Sequence, residues 1–466
     1  MKNTFLIVAA LILFSLTAYA DGRHSIKIVI KDYKDSALLL TSYYGDKIIL
    51  VDTAYAEEPG VFIFEGEELF PEGIYMAVSS SKIKLFEFIV GADQEFSLST
   101  DTTNYTLNLQ PEGSVENKIF FDYMRNNESL YRKNQSLNEQ LAQTEKGSEK
   151  YHFILDEIDS INRLAGKYKL NVIENHPRML VSALFKAMQD VEIPDEVLSS
   201  TDSLSGYKYY KAHYWDKLDL SDVRLLRTPM LAKKTGQYFD QLVVMHPDSV
   251  IAGIEELIER ARPSEETISW LIWHFTSEYQ SPEYMGFDVV FIHLVDNQFV
   301  QEEIANLTPS VLESLQDRAD KMRPLVLGNE APNLVLTDTA GNYQSFHSLT
   351  NKYIILYFWD YDCGICRNES ILLKEIYKEN KYDLEVFAVN VNSDLDKWKA
   401  ELVEKDFEWI NVNGTRSVTQ NFHDLYDTYG TPAIFILDKD RKIIAKRISA
   451  KQIIGFIENY QLILKK

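Results

Sequence analysis

The sequence predicts three successive domains: an N-terminal all-β sandwich, a central all-α region and a C-terminal α/β three-layer sandwich. Over residues 25–109, apolar and polar residues alternate between frequent turn signals, which is typical of short strands. From residue 112 to about residue 323 the apolar spacing is helical, and beyond it strand and helix patterns alternate. A chain of 466 residues is also too long for one ordinary hydrophobic core, so several domains are expected.

The start of the chain has the three parts of a secretory signal peptide. A charged start precedes the apolar residues 5–16, and Ala18-Tyr-Ala20 is a cleavage sequence of small residues. An uncleaved membrane anchor is the alternative, but the apolar run is shorter than the roughly 18 residues that span a bilayer. We therefore predict a signal peptide at residues 1–20, cleavage before Asp21, and export to the periplasm or cell envelope.

The β-sandwich domain is predicted over residues 21–111. Turn signals such as Glu57-Glu-Pro-Gly60 separate its strand patterns, as in sandwiches or open barrels. No cluster of catalytic residue types lies in it, so a structural or docking role is favoured. The predicted strands include residues 26–30, 47–51, 61–64, 74–78, 85–90 and 95–99.

The helical domain is predicted over residues 112–325. Prolines fall between its apolar-periodic blocks, as expected at helix starts. Trp270, Trp273 and His274 share one face of a helix pattern, which suits a ligand groove or core packing, and we favour packing. Residues 323–332 carry two prolines and a glycine, which predicts a linker into the last domain.

Charge and composition exclude several kinds of partner. The formal net charge is −22 and the pI is near 4.9, and no basic patch stands out, so we expect no nucleic-acid partner. The two cysteines are too few for a structural disulfide framework. The nine histidines include no pair at metal-ligand spacing, so we expect no metal site.

The stretch from Tyr353 to Arg367 predicts the catalytic site. Residues 353–359 are a nearly continuous apolar and aromatic run, as in a strand buried on both faces of a sheet. A helical pattern begins at Cys363, which places Cys366 one turn further in. The free N–H groups and dipole of the helix start favour a thiolate and predict a lowered pKa for Cys363. The pair suits dithiol–disulfide exchange, and zinc binding or a merely structural disulfide are weaker alternatives.

The patterns around this stretch predict the α/β domain over residues 326–466. Alternating strands and helices that end in a hairpin and a helix form a three-layer sandwich. Strands are expected at residues 334–336, 353–359, 384–391, 409–412, 433–437 and 442–448, and helices after Cys363 and at residues 394–405, 417–428 and 450–464.

This domain resembles the thioredoxin superfamily, and within it the TlpA-like thiol–disulfide oxidoreductases of the bacterial envelope. The whole layout also resembles exported proteins that place a β-rich and a helical domain before such a thioredoxin-like domain. The resemblance covers residues 326–466 and rests on landmarks in the family's order: Gly328-Asn-Glu-Ala-Pro332, Asp338, Gly341, Phe358-Trp359, Cys363-Gly-Ile-Cys366, Arg367, Glu369 and Gly430-Thr-Pro432.

The resemblance implies roles for individual residues. Cys363 is expected to be the nucleophile and Cys366 the resolving thiol, with their redox-active disulfide in place of any separate cofactor. Thr431-Pro432 is expected to form a cis peptide whose loop lies against the cysteines and pairs with an incoming peptide strand. Trp359 is expected to pack beneath the site and, with Thr431, to contribute to substrate binding.

The sequence departs from the family pattern at three positions near the cysteines. Asp362 replaces the usual aromatic residue before the nucleophile, and its carboxylate opposes a thiolate unless it serves as the helix N-cap. Ile371 replaces the usual proline in the cysteine helix, which predicts a less kinked helix. Tyr357 stands where thioredoxin has a buried acid.

Another acid is therefore expected to serve proton transfer, and several side chains are expected to tune the redox pair. Asp360, Asp362 and Glu369 are the candidates for the acid, and the sequence does not choose among them. Arg367 is expected to favour the Cys363 thiolate electrostatically, or else to point away along the helix.

These observations predict an exported thiol–disulfide oxidoreductase that works in the reducing direction on exported proteins with cysteines. Because the periplasm is kept oxidising, such a reductant needs an inner-membrane thiol electron donor. A peroxidase is less favoured, since a peroxidatic site uses a lone low-pKa cysteine. The alternative from another class is an envelope binding or scaffold protein whose front domains dock a partner and whose redox domain is subsidiary.

Overall fold

A computed structural model gives the fold of the chain for residues 22–301, 304–428 and 430–465. The predicted signal peptide and its cleavage site lie outside these described residues. Within the described ranges, no helix is both long enough and apolar enough to cross a membrane.

The chain divides into two compact units, Met1–Asp240 and Gln241–Lys466. The first unit contains the β-sandwich and the first helices, and the second contains the later helices together with the α/β sheet. The division therefore falls inside the segment predicted as a helical domain, residues 112–325. The predicted sequence of all-β, all-α and α/β regions is confirmed.

Eight strands of the first unit form two four-stranded sheets. They are β1 (His24–Lys31), β2 (Ala37–Tyr44), β3 (Lys47–Tyr55), β4 (Val61–Gly66), β5 (Gly73–Ser79), β6 (Lys84–Val90), β7 (Glu95–Asp101) and β8 (Gln110–Glu112). One sheet has the order β4-β1-β7-β8 and the other the order β3-β2-β5-β6. Alternate residues of β1, Ile26, Ile28 and Ile30, are fully buried in the apolar core of the unit, as the period of a strand requires.

Six helices follow the sandwich. They are α1 (Val115–Ala142), α2 (Glu149–Asn175), α3 (Leu180–Ala187), α4 (Asp195–Leu198), α5 (Ser205–His213) and α6 (Pro229–Leu242), which ends at the unit boundary. Ser114 and Ser148 cap α1 and α2 by accepting hydrogen bonds from backbone N–H groups of the first turn, as N-cap residues do.

Asn117 fastens α1 to the sandwich. Its side chain is fully buried. Its amide accepts a hydrogen bond from the Ile89 N–H at 2.8 Å and donates one to the Ile89 carbonyl at 2.7 Å. Ile89 belongs to β6, the last strand of its sheet, so a helix side chain satisfies backbone groups that no further strand pairs.

The first helices of the second unit precede its sheet. They are α7 (Pro247–Arg260), α8 (Glu265–Tyr279), α9 (Asp288–His293), α10 (Phe299–Gln301) and α11 (Pro309–Met322), with a π-helical turn at Leu294–Gln298. Trp270 is buried and stacks on His274 at 4.9 Å between ring centroids. The Trp273 N–H donates to the Ala305 carbonyl at 3.1 Å. These contacts favour core packing over a ligand groove for the aromatic face of α8.

A seven-stranded mixed sheet forms the centre of the α/β region. Its strands are β9 (Val335–Asp338), β10 (Tyr343–Ser345), β11 (Tyr353–Trp359), β12 (Leu384–Asn390), β13 (Ile410–Ser417), β14 (Ala433–Asp438) and β15 (Ile443–Lys446). Its helices are α12 (Gly364–Glu379), α13 (Leu395–Lys405), α14 (Phe422–Tyr426) and α15 (Ile453–Leu464). The order is β10-β9-β13-β12-β11-β14-β15, with β11 parallel to β12 and antiparallel to β14.

Strand β11 is buried along its whole length, as predicted. Tyr353, Ile355, Tyr357 and Trp359 contribute to one core together with residues of α12, α13 and α15. The alternate residues of the strand contribute to the core on the other face, beside α14. The strand therefore joins the two apolar layers of a three-layer sandwich.

The helix predicted at residues 417–428 is largely wrong. Its first residue ends β13, where Ser417 pairs with Leu336 after a register shift, and only Phe422–Tyr426 is helical. Pairing with a neighbouring strand outweighs the local helical pattern in the first part of this segment.

The segment predicted as a linker, residues 323–332, packs against the sheet. The Gly328 N–H donates to the Ile443 carbonyl at 2.8 Å, and the Ala331 N–H donates to the Arg441 carbonyl at 2.9 Å. Backbone hydrogen bonds thus hold the connection between α11 and β9 against the sheet.

We predict that Asn117→Ala lowers the free energy of unfolding of the first unit by about 2–4 kcal/mol, because two buried backbone groups of Ile89 lose their partner. Asn127→Ala is the control, since Asn127 is exposed on the same helix and its loss should cost only a few tenths of a kcal/mol. Urea unfolding of both variants checks this, and equal effects would contradict it.

Candidate redox site

The turn after β11 is shaped by Asp360. Its carboxylate accepts a hydrogen bond from the Asp362 N–H at 2.9 Å, and its main-chain carbonyl accepts one from the Cys363 N–H at 3.1 Å. These two bonds redirect the chain from the strand into α12. The carboxylate of Asp360 is therefore engaged in the turn.

Cys363 is the N-cap residue of α12, as its predicted position at a helix start requires. It is joined to Cys366 in a disulfide, so the structure holds the oxidised pair. The Cys366 N–H lies 3.1 Å from the Cys363 sulfur and points a backbone donor at it. Such donors and the helix dipole stabilise a thiolate on Cys363 when the pair is reduced.

The two cysteines differ in exposure. Cys366 is fully buried and lies in the core beside β11, whereas Cys363 is partly exposed. An incoming sulfur therefore reaches Cys363 first, and Cys366 can act from within the protein on whatever Cys363 has bound.

A loop before β14 lies against the cysteines. The Thr431–Pro432 peptide bond is cis, as expected, and the Thr431 carbonyl oxygen lies 3.4 Å from the Cys363 sulfur. Ala433 pairs with Phe358 across the sheet, so the antiparallel pairing of β11 and β14 brings the loop to the end of β11.

The space beneath the cysteine helix is aromatic and uncharged. The Tyr357 hydroxyl donates to the Cys366 carbonyl at 3.0 Å and also bonds to the Ser370 hydroxyl at 2.9 Å. Burial, above all, raises the pKa of Tyr357, so its hydroxyl stays protonated. Trp359 is buried next to it, with stacked rings 6.4 Å apart, and packs in the same core as Cys366.

The carboxylate of Asp362 forms an ion pair with Lys397 of α13, at 2.5 Å. Both side chains are about half exposed, and the hydrogen bond from Asp362 is the main cause of a raised Lys397 pKa. The N-cap role considered for Asp362 is wrong, because Cys363 occupies that position. The ammonium of Lys397, which no local sequence pattern indicated, offsets part of the repulsion between Asp362 and a thiolate.

The side chains of Glu369 and Arg367, both on α12, lie in different surroundings. Glu369 is partly buried and accepts a hydrogen bond from the Ala450 N–H. Arg367 is exposed and lies near Glu404, whose pKa is lowered mainly by Lys405 and to a smaller extent by Arg367. Arg367 therefore belongs to the charged surface toward α13. Helix α12 runs without interruption from residue 364 to residue 379 through Ile371, as its lack of proline predicts.

A cavity of about 470 Å³ opens beside the redox pair. Its lining includes Ile365, Glu369, Pro432, Arg447, Ser281 and Arg318. The last two come from the segment predicted as a separate helical domain, which sequence reasoning did not connect with the site. Across the residues that the structure describes, no group of three or more histidine, cysteine or acidic side chains is arranged to hold a metal ion.

Comparisons with known proteins match the part of the chain that carries this site. A family model described as the AhpC/TSA family matches residues 327–446, and one described as a domain of unknown function, DUF5106, matches residues 132–321. The thiol-disulfide oxidoreductase ResA of Bacillus thuringiensis (strain Al Hakam) is 29% identical over 149 residues, which cover 30% of this chain and 81% of the relative. A thioredoxin-like protein of Haemophilus influenzae is 30% identical over 123 residues, covering 26% of this chain and 71% of the relative.

Solved structures give similar matches. A domain of a possible thiol-disulfide isomerase from Cytophaga hutchinsonii is 38% identical, with a TM-score of 0.29, and the match covers 30% of this chain and 97% of that domain. A thioredoxin-like protein from Bacteroides caccae is 19% identical, with a TM-score of 0.46, and the match covers 59% of this chain and 98% of that protein.

We predict that Asp362→Asn lowers the pKa of Cys363 in the reduced protein by a fraction of a unit to about one unit, because a nearby negative charge is removed. Lys397→Gln should move this pKa in the opposite direction. The thiolate absorbance against pH measures both shifts. Glu379→Gln, at the exposed far end of α12, is the control without a shift, and an unchanged or raised pKa in Asp362→Asn would contradict the electrostatic account.

Proposed function

Because the chain belongs to the thioredoxin-like thiol-disulfide oxidoreductases, we propose that it reduces disulfides of exported proteins through Cys363 and Cys366. The observation that supports this most is the pairing of a partly exposed Cys363 at a helix start with a fully buried Cys366. One sulfur is thereby open to clients and the other is kept for the second step.

The reaction begins with the reduced pair. The Cys363 thiolate attacks one sulfur of the client disulfide, a bond forms between them, and the second client sulfur leaves as a thiolate that takes up a proton. The sulfur of Cys366, after losing its proton, then attacks Cys363 and releases the first client sulfur. Two electrons have passed to the client, and the protein is left with the Cys363–Cys366 disulfide.

The loop at Thr431 and Pro432 is proposed to hold the client. Its carbonyl at Thr431 lies beside the Cys363 sulfur, where a client backbone N–H in an extended strand can donate to it. Ile365 is about two-thirds exposed and lies with Pro432 along the cavity, which offers the client an apolar contact next to its cysteine.

Glu369 is proposed as the acid that takes and returns the proton of Cys366. Of the three candidates, Asp360 holds the turn after β11 and Asp362 is paired with Lys397. Glu369 also accepts a backbone hydrogen bond, from Ala450, but it is the one of the three that lines the cavity beside the redox pair. A carboxylate placed there is suited to general base and general acid steps in turn.

The proposed compartment is the periplasm or cell envelope. The support is the leader-like sequence of residues 1–20. A reductant in an oxidising compartment must be re-reduced, so we propose an inner-membrane thiol donor as the source of electrons.

We predict that Cys363→Ser abolishes the reduction of insulin disulfides. Cys366→Ser should instead accumulate mixed disulfides, because the first attack proceeds and the second attacking sulfur is missing. Iodoacetamide should label Cys363 before Cys366 in the reduced wild-type protein. The double serine variant is the control for both assays, and faster labelling of Cys366 would reverse the roles assigned to the two sulfurs.

Export predicts that the mature protein begins at Asp21. N-terminal sequencing of the protein from the periplasmic fraction of its host measures this directly. Protein that keeps Met1 and stays in the cytoplasm would refute the proposed compartment, while the exchange chemistry of the two cysteines would be unaffected.

A further inference from the structure

Asp427 is a buried carboxylate at the start of the loop that leads to Pro432. Only 1% of its side chain is exposed, and its backbone is left-handed, with a φ of 49°. It directly follows α14. A buried carboxylate needs charged or hydrogen-bonding partners, and here two arginines supply them.

Arg447 binds both ends of the loop. Its Nη2 donates to the Asp427 carboxylate at 2.8 Å and to the Asp427 carbonyl at 3.3 Å. Its backbone N–H donates to the Ile434 carbonyl at 2.8 Å. Asp427 precedes Pro432 and Ile434 follows it, so one residue ties together the chain on either side of the cis peptide.

Arg318 reaches the same carboxylate from α11. Its Nη1 donates to the other carboxylate oxygen of Asp427 at 2.5 Å, and its Nη2 donates to the Gln280 carbonyl at 3.3 Å. Lys321 adds a contact between α11 and α14, 3.5 Å from the Asp424 carboxylate. The helical segment is thus anchored to the element from which the loop starts.

A buried ion pair of this kind is weak evidence for a stability role, since replacing the whole pair by apolar residues of similar volume is often neutral. Removing Arg318 alone is expected to lower stability, because the buried Asp427 carboxylate then keeps only Arg447 as a charged partner. Arg318 also fixes the orientation of the Asp427 carboxylate, because Arg318 and Arg447 bind its two oxygens from two different directions. Arg318, Asp427 and Pro432 line the same cavity beside the redox pair. Because Asp427 starts the stretch that leads to Pro432, the carboxylate that Arg318 orients belongs to the client-facing loop.

We infer that Arg318 is a positioning residue for client binding, which sets the loop at Thr431 and Pro432 through Asp427. This inference rests on the proposed function, because it assigns to the helical segment a part in holding the client of that site. The helices before the sheet then contribute to the redox site itself, besides any binding of a partner by these helices.

The test compares two disulfide substrates at a temperature well below unfolding. Reduced Arg318→Met is expected to react with insulin about ten-fold more slowly than the wild type, since the loop that aligns the peptide is no longer held. Its reaction with the small aromatic disulfide dithiobis(nitrobenzoate), which needs no peptide alignment, should stay within about two-fold. Arg318→Lys, which keeps one charged donor, should recover part of the insulin rate.

Arg323→Met is the matched control. Arg323 directly follows α11 and binds Asp296 at 2.6 Å on the exposed surface, so its loss removes an arginine ion pair of the same region without touching the loop. Both substrates should react with this variant at wild-type rates.

A second readout is independent of activity. Amide hydrogen exchange of residues 433–434 should be faster in Arg318→Met than in the wild type or in Arg323→Met, because the segment after the cis peptide is less firmly held. Unchanged exchange, an unchanged insulin rate, or equal losses with both substrates would overturn the positioning role. A wild-type protein that fails to reduce insulin would refute the proposed function instead, and the exchange measurement would still decide whether Arg318 holds the loop.

Discussion

The redox site depends on the position of the buried strand β11 between one parallel and one antiparallel neighbouring strand. The parallel partner β12 and the antiparallel partner β14 both pair with it over most of its length. Because β14 runs antiparallel, its first residue lies beside the last residues of β11. The helix start that carries Cys363 and the loop that carries Pro432 therefore meet at one end of the sheet.

The chemistry follows from a difference in environment between two identical side chains. Cys363 receives a backbone N–H of the first helical turn and remains partly exposed, whereas Cys366 is enclosed in the apolar core. Tyr357 adds no charge to that core, because burial raises its pKa and its hydroxyl stays protonated. Charged residues lie around this core. The ammonium of Lys397 offsets the charge of the Asp362 carboxylate, and Glu369 lines the cavity beside the redox pair.

A buried lysine of the α/β sheet contacts the helices that precede the sheet. Lys446, on the last strand of the sheet, is buried and lies 2.6 Å from Asp288 of α9, and its ammonium also donates to the Leu325 carbonyl at 2.6 Å. Burial is the main cause of the lowered pKa of this lysine. The Lys446–Asp288 pair and the two arginines on Asp427 thus connect the later helices to the sheet region at two places within the second unit.

The sequence alone determined the local parts of this protein. The continuous apolar run of β11, the change of period at Cys363 and the prolines at helix starts are short-range patterns, and hydrophobic periodicity and helix capping act over a few residues. The strand–turn–helix unit and the order of β, α and α/β regions were therefore predictable, whereas the cis peptide at Thr431–Pro432 was expected from the resemblance to the thioredoxin superfamily. The tertiary structure alone decided which distant side chains meet. Lys397 beside Asp362, and Arg318 beside Asp427, are separated in sequence by 35 and 109 residues, and no local pattern records a contact that exists only because separate elements pack on one sheet.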